Sequence, residues 1–226
     1  MFSGIPEQSI DFFYQLALNN QRPWFQEHKE EFLTLVDRPF KALARESARL
    51  LNARAPKYGF QPKVSRIYRD ARRLFGRGPY KEHLWFSFQR GENSAAGPML
   101  WFELGLQGTS HGLGFWGETP GQAALFRKAI DKEPARFQRL IQGIPQGDKC
   151  RLWGEEYKRP KAERGPLLNP WYNRKQHSVG YENLFGQALF SPQLPELLAE
   201  SFAGLLELYD FFSEVWHMSD EKPDLL

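Results

Sequence analysis

Cysteine is almost absent from these 226 residues: Cys150 stands alone, so no disulfide can form within the chain and the composition fits a reducing compartment. Its neighbours Lys149 and Arg151 would favour the thiolate, yet no histidine can be argued to lie beside it, and a structural thiol is expected. Long apolar runs are missing as well. No stretch is continuous enough to cross a bilayer, and the chain does not open with a basic region followed by an apolar one. A cytoplasmic protein with no membrane partner is therefore expected. Net charge is only +3, too little to coat nucleic acid or anionic lipid, so any attraction for anions must be local. There is no Gly-x-Ser-x-Gly elbow, no phosphate-cradling glycine loop and no zinc-spaced Cys/His cluster. The five histidines, His28, His83, His111, His177 and His217, show no helical or hairpin pairing, and neither a metal nor a cofactor is expected.

What the chain does have is aromatic residues, 15% of the total, within a hydrophobic fraction of 41%. They suit an aromatic core or stacking surfaces. A short helix is predicted over Ser9 to Leu18, with Ser9 as its cap and Asn19-Asn20 as its stop. A second follows from Pro23, with Phe25, Phe32, Val36, Phe40, Leu43 and Leu51 at helical spacing. Pro39 should kink it or split it, Asp37 then capping the second half. Alternation takes over after Lys81: Leu84, Phe86 and Phe88 oppose Trp85, Ser87 and Gln89, and Leu100, Phe102, Leu104 and Leu106 oppose Trp101 and Glu103. A further strand is read at Leu113 to Trp116. Thr119-Pro120-Gly121-Gln122 has the pattern of a capping box, and helices are predicted from Pro120 to Asp131 and from Pro134 to Gln142. The basic, Gly- and Pro-rich segment from Ile144 to Gln176 reads as an ordered connection. One long terminal helix should then step through Leu198, Phe202, Leu205, Tyr209, Phe212 and Trp216. These elements predict a single α+β domain over residues 1–226, an antiparallel sheet covered by helices.

The densest chemistry lies between Val64 and Lys81, where six cations, Arg66, Arg69, Arg72, Arg73, Arg77 and Lys81, surround one acid, Asp70. Val64, Ile67 and Tyr68 suggest a strand over Val64 to Arg69, with Arg66 and Tyr68 on one face and Arg69 on the other. Gly76, Gly78 and Pro79 then mark a turn. Paired guanidinium donors converging on a cleft would bind phosphate or carboxylate. Asn19, Asn20 and Trp24 form a second polar patch, able to read a ligand or simply to turn the chain between two helices.

Arg66-Ile67-Tyr68-Arg69-Asp70, with Arg72, Arg77 and Pro79-Tyr80-Lys81, resembles the signature of the domain-of-unknown-function 2461 family. This chain has Arg73, Leu74, Phe75 and Gly76 where that signature carries Phe, Ser, Lys and Asp. Asn19-Asn20, Trp24-Phe25 and Lys29 are similar to a second family element, and looser likeness runs on to Lys158-Arg159-Pro160. The resemblance implies a fold and a site but no activity.

Three readings follow. In the first, Arg66, Tyr68, Arg69, Arg72, Arg77, Tyr80 and Lys81, with Asn19, Asn20 and Trp24, bind an anionic small molecule. If this is an enzyme, Asp70 or Glu103 is its acid-base group, although the cations around Asp70 would lower its pKa and suit it better to orienting an arginine. In the second, Trp85, Trp101 and the basic residues stack and neutralise single-stranded nucleic acid. In the third, the arginines are consumed in internal ion pairs, with Glu82 or Glu103 as partners, and there is no ligand.

Overall fold

Alternating side chains build the sheet. The computed structural model describes residues 2–90 and 97–218. Its strands are β1 (Phe60–Val64), β2 (His83–Arg90), β3 (Gly97–Gly105), β4 (Gly108–Trp116), β5 (Arg151–Trp153) and β6 (Ser178–Glu182). All pair antiparallel, in the order β1-β2-β3-β4-β6-β5. Leu84 faces Leu104 and Phe86 faces Phe102, and these four, with Phe88, are at most 1% exposed. A register slip of one residue would turn that whole set out of the core, so burial pins the register.

Helices cover this apolar face, giving a single α+β domain. They are α1 (Gln8–Leu18), α2 (Arg22–Glu27), α3 (Lys29–Phe32), α4 (Arg38–Arg54), α5 (Pro120–Lys132), α6 (Pro134–Gln142), α7 (Asn169–Tyr172), α8 (Leu194–Ala203) and α9 (Leu206–His217). Phe40 of α4 packs on Phe86 at 5.3 Å between ring centroids, Phe202 of α8 on Phe88 at 5.4 Å, and Phe212 of α9 on Phe115 at 4.6 Å. Thr119 and Gln122 close the capping box expected at the start of α5.

Several local expectations are corrected. The first strand ends where the basic stretch begins: it is Phe60–Val64, and residues 65–82 form a loop held by an isolated bridge between Tyr68 and Tyr80. The second predicted helix is broken into α2, α3, a π-helical turn at Leu33–Asp37 and α4, with Pro39 in the first turn of α4. Asp37 makes no cap bond and pairs instead with Lys41. Ser9 is not a cap either; its buried hydroxyl donates to the Leu35 carbonyl inside the π turn, a place where wider winding leaves backbone oxygens to be satisfied. The terminal helix is two helices, parted at Gly204 and Leu205. Within the connection after α6, β5 adds a strand, and β6 follows it.

The other face of the sheet is thinly clad. Trp85, Ser87 and Gln89 of β2 point to it, as do Met99, Trp101 and Glu103 of β3. On β4 and β6 the matching positions include Gly112 and Gly180, paired across the ladder. A Cβ on Gly112 would lie 2.1 Å from the Val179 carbonyl oxygen, so the close approach of the strands demands glycine there.

Candidate functional site

The 65–82 loop folds back over this second face and makes one wall of a cleft of about 560 Å³. Its folding rests on Arg69, whose side chain is 8% exposed. Nε donates to the Gly78 carbonyl at 3.1 Å, and Nη2 donates to the Tyr80 carbonyl at 2.9 Å and to Glu82 Oε2 at 2.7 Å. Asn20 grips the same place from the α1–α2 turn. Its Nδ2 donates to the Tyr80 carbonyl at 3.0 Å and to Glu82 Oε1 at 2.7 Å, while its Oδ1 accepts from the Tyr80 N–H at 3.0 Å. The Asn20 side chain lies so close to Gly78 that a Cβ there would be 2.3 Å away. Arg69, Asn20 and Glu82 thus form one clamp on Tyr80, and the ring of Tyr80, 1% exposed, stacks on Phe25 at 4.1 Å. Beyond the clamp, Phe75 and Gly76 reverse the loop with φ of 45° and 78°. Positive φ at a phenylalanine is costly and costs little at the glycine beside it.

The cleft gathers Arg66, Arg69, Arg77 and Lys81, together with Tyr68 and Asp70. These six predicted site residues are brought together. Asp70, however, accepts from the Arg72 backbone N–H at 3.0 Å and pairs with the Arg72 guanidinium at 2.7 Å, capping the short turn Ala71–Arg73. Arg72 itself is 88% exposed and does not line the cleft. Tyr80, Asn19, Asn20 and Trp24 do not line it either. Asn19 closes α1, its Nδ2 donating to the Gln15 carbonyl, and Trp24 packs between Phe12 and His28. The two stretches carrying the family likeness therefore meet, but through the clamp behind the cleft rather than inside it.

On the floor, β2 sets His83, Trp85, Ser87 and Gln89 in one row that faces the loop. Sequence reasoning saw this alternation but did not assign Ser87, Gln89 or His83 to the site. Ser87 is 1% exposed and its Oγ has no hydrogen-bond partner among the described residues. Neither Arg66 nor Lys81 forms an ion pair or side-chain hydrogen bond among them. Burial, reinforced by the charges of Arg69 and Arg66, pushes the Lys81 amine below its ordinary range, against the pull of Glu103. Burial likewise lowers His83, with Lys81 and Arg69 adding to the effect and Glu103 and Glu82 opposing it. Glu103, opposite Trp85 on β3, lines a second concavity of about 560 Å³ with Glu82, Glu182 and Asn183, and His83 borders both. Among the described residues no three His, Cys, Asp or Glu side chains are grouped to hold a metal ion.

Cys150 lies away from the cleft, and burial pushes its thiol up to about 11 despite the charged neighbours in sequence. The half-buried thiol of the native protein is thus expected to react more slowly with a thiol reagent at pH 8 than that of the urea-unfolded chain. Equal labelling rates for the two would contradict this burial.

A helix-backed antiparallel sheet with a cleft on its second face beneath a clamped basic loop defines the class as α+β, without specifying a reaction. Residues 8–211 match the family described as conserved hypothetical protein (DUF2461), and the chain belongs to it. A comparison with curated proteins gives no match. Among the described residues no helix is long and apolar enough to cross a membrane.

Proposed function

We propose that this protein binds a small phosphate- or carboxylate-bearing ligand between the 65–82 loop and the floor of β2. The observation that carries the proposal is a set of polar groups left without partners in one cleft: the Arg66 and Lys81 cations and the buried Ser87 hydroxyl. A buried hydroxyl with no partner is costly, and a bound ligand can satisfy it. Arg69 supports the site from behind by fixing Lys81 between Tyr80 and Glu82, the two residues its guanidinium holds. Asp70 is engaged with Arg72, and Glu103 lines the neighbouring concavity, so any proton transfer on a bound ligand falls to His83, which lines the cleft. An open nucleic-acid groove is less well supported, because Trp101 has the ring of Trp153 edge-on against it at 5.7 Å. The lone thiol supports a cytoplasmic setting.

A thermal-shift screen against phosphorylated and carboxylated metabolites tests the proposal. A ligand at about a hundred times its Kd adds about 2.7 kcal/mol, or about 5 to 10 °C in Tm for a chain of this size. Lys81→Met should abolish the shift, whereas Arg159→Ala, on an exposed loop, should leave it. A screen in which no anion stabilises the wild type, or in which both variants respond alike, defeats it.

A further inference from the structure

Two tryptophans in the same cleft identify the rest of the ligand. Trp85 and Trp116 line it with ring centroids 5.7 Å apart and planes 35° from parallel, an open pair rather than a closed stack. Trp116 is 47% exposed, a large apolar ring left facing solvent at the cleft. The cationic end at Lys81 lies in the loop just before β2, and along β2 the row then reaches Trp85 before Ser87 and Gln89. Gln89, 8% exposed, lines the cleft beside the unpartnered Ser87. The surface thus has cations at one end, an aromatic platform in the middle, and an amide and a hydroxyl beyond it. A simple oxyanion uses only the first of these.

We infer that the ligand is an anion carrying a planar heteroaromatic ring, of the nucleoside monophosphate class, with the ring against Trp85 and Trp116, its edge on Ser87 and Gln89, and its phosphate toward Lys81 and Arg66. The inference rests on the anion-binding reading and adds the ring. Its size agrees with the cleft, whose volume of about 560 Å³ lies within the usual range for small-molecule sites.

Titrations followed by tryptophan fluorescence, with adenosine 5′-monophosphate, phenyl phosphate, ribose 5-phosphate and adenosine as probes, separate the two readings. The ring-bearing phosphates should bind roughly tenfold or more tighter than ribose 5-phosphate, and quench emission as the ring stacks. Trp116→Ala, at an exposed position, should remove that advantage while leaving ribose 5-phosphate affinity unchanged. Lys81→Met should weaken every phosphate. Equal affinities for ribose 5-phosphate and the ring-bearing probes, or an unaltered ratio in Trp116→Ala, overturn the inference while the anion site stands. Failure of all the phosphates to bind overturns both.

Discussion

Replacing Arg69 with alanine is expected to destabilise the protein by about 3 to 5 kcal/mol, the cost of breaking a buried ion pair from one side. Removing the guanidinium strips three donors at once, from the Gly78 and Tyr80 carbonyls and from Glu82. Among the described residues, the side chain of Glu82, 29% exposed, would then keep only the Asn20 amide as a hydrogen-bond partner. Arg72→Ala, which removes an 88% exposed partner of Asp70, should cost less than about 1 kcal/mol. Arg69→Lys should recover little, because an ammonium cannot reproduce three planar donors aimed at three acceptors. Asn20→Ala and Arg69→Ala share Tyr80 and Glu82, so their effects should be non-additive in a double-mutant cycle. Urea unfolding measures all of these. Equal costs for Arg69→Ala and Arg72→Ala would mean that no clamp exists. Arg69 lines the cleft, but its bonds run to Gly78, Tyr80 and Glu82, so in the proposed site it positions the loop, and Lys81 and Arg66 are proposed to contact the anion.

Stability should also fall in acid through the buried His111. His111 sits on the core face of β4, its Nε2 within 2.8 Å of Ser201 Oγ and its ring stacked on Phe185 at 4.7 Å, with Tyr181 and Phe202 completing the cage. Nδ1 has no partner among the described residues, and burial pushes the ring from 6.5 down to about 3. Below pH 6.5 the unfolded chain takes up a proton that the folded ring refuses until about pH 3. The unfolded state therefore binds more protons across that window, and stability falls by about 1.4 kcal/mol for each pH unit. Exposed carboxylates add their own slope, so the test is a difference. His111→Gln should show a shallower loss of unfolding free energy between pH 6 and pH 4 than the wild type, whatever its absolute stability. Parallel slopes would show that His111 does not titrate as a buried neutral base.

Burial set by alternation was readable in the sequence. Leu84, Phe86, Phe88, Phe102 and Leu104 were legible as one buried face of β2 and β3, and Thr119 with Gln122 marked the start of α5. The frame of β1 was misread because Ile67 and Tyr68 look like strand residues, whereas the true strand Phe60–Val64 carries Gln61, Pro62 and Lys63 that blur its alternation. β5 and β6 are three and five residues long, and Gly180 interrupts the apolar signal at the point where two strands nearly touch. An unbroken apolar period hid the break at Gly204, since both α8 and α9 lean on the same core.

At the site, the basic stretch was legible as a cluster, and its division of labour was not. Asn20 and Tyr80 are 60 residues apart, so nothing local links them. Whether an arginine faces a ligand or a backbone carbonyl depends on how a loop folds back, which neither spacing nor composition encodes. Ser87 is the clearest case. In sequence it is one polar position in an alternating strand, and only the loop above it makes an unpartnered hydroxyl part of a site.

The cleft under the 65–82 loop is proposed to hold an anion. Anomalous scattering from a crystal soaked in tungstate locates bound anions directly. The strongest peak is expected within the cleft, beside Lys81 and Arg66, and should be lost in Lys81→Met. Peaks confined to exposed cations such as Arg72 and Arg159, with none in the cleft, would contradict it.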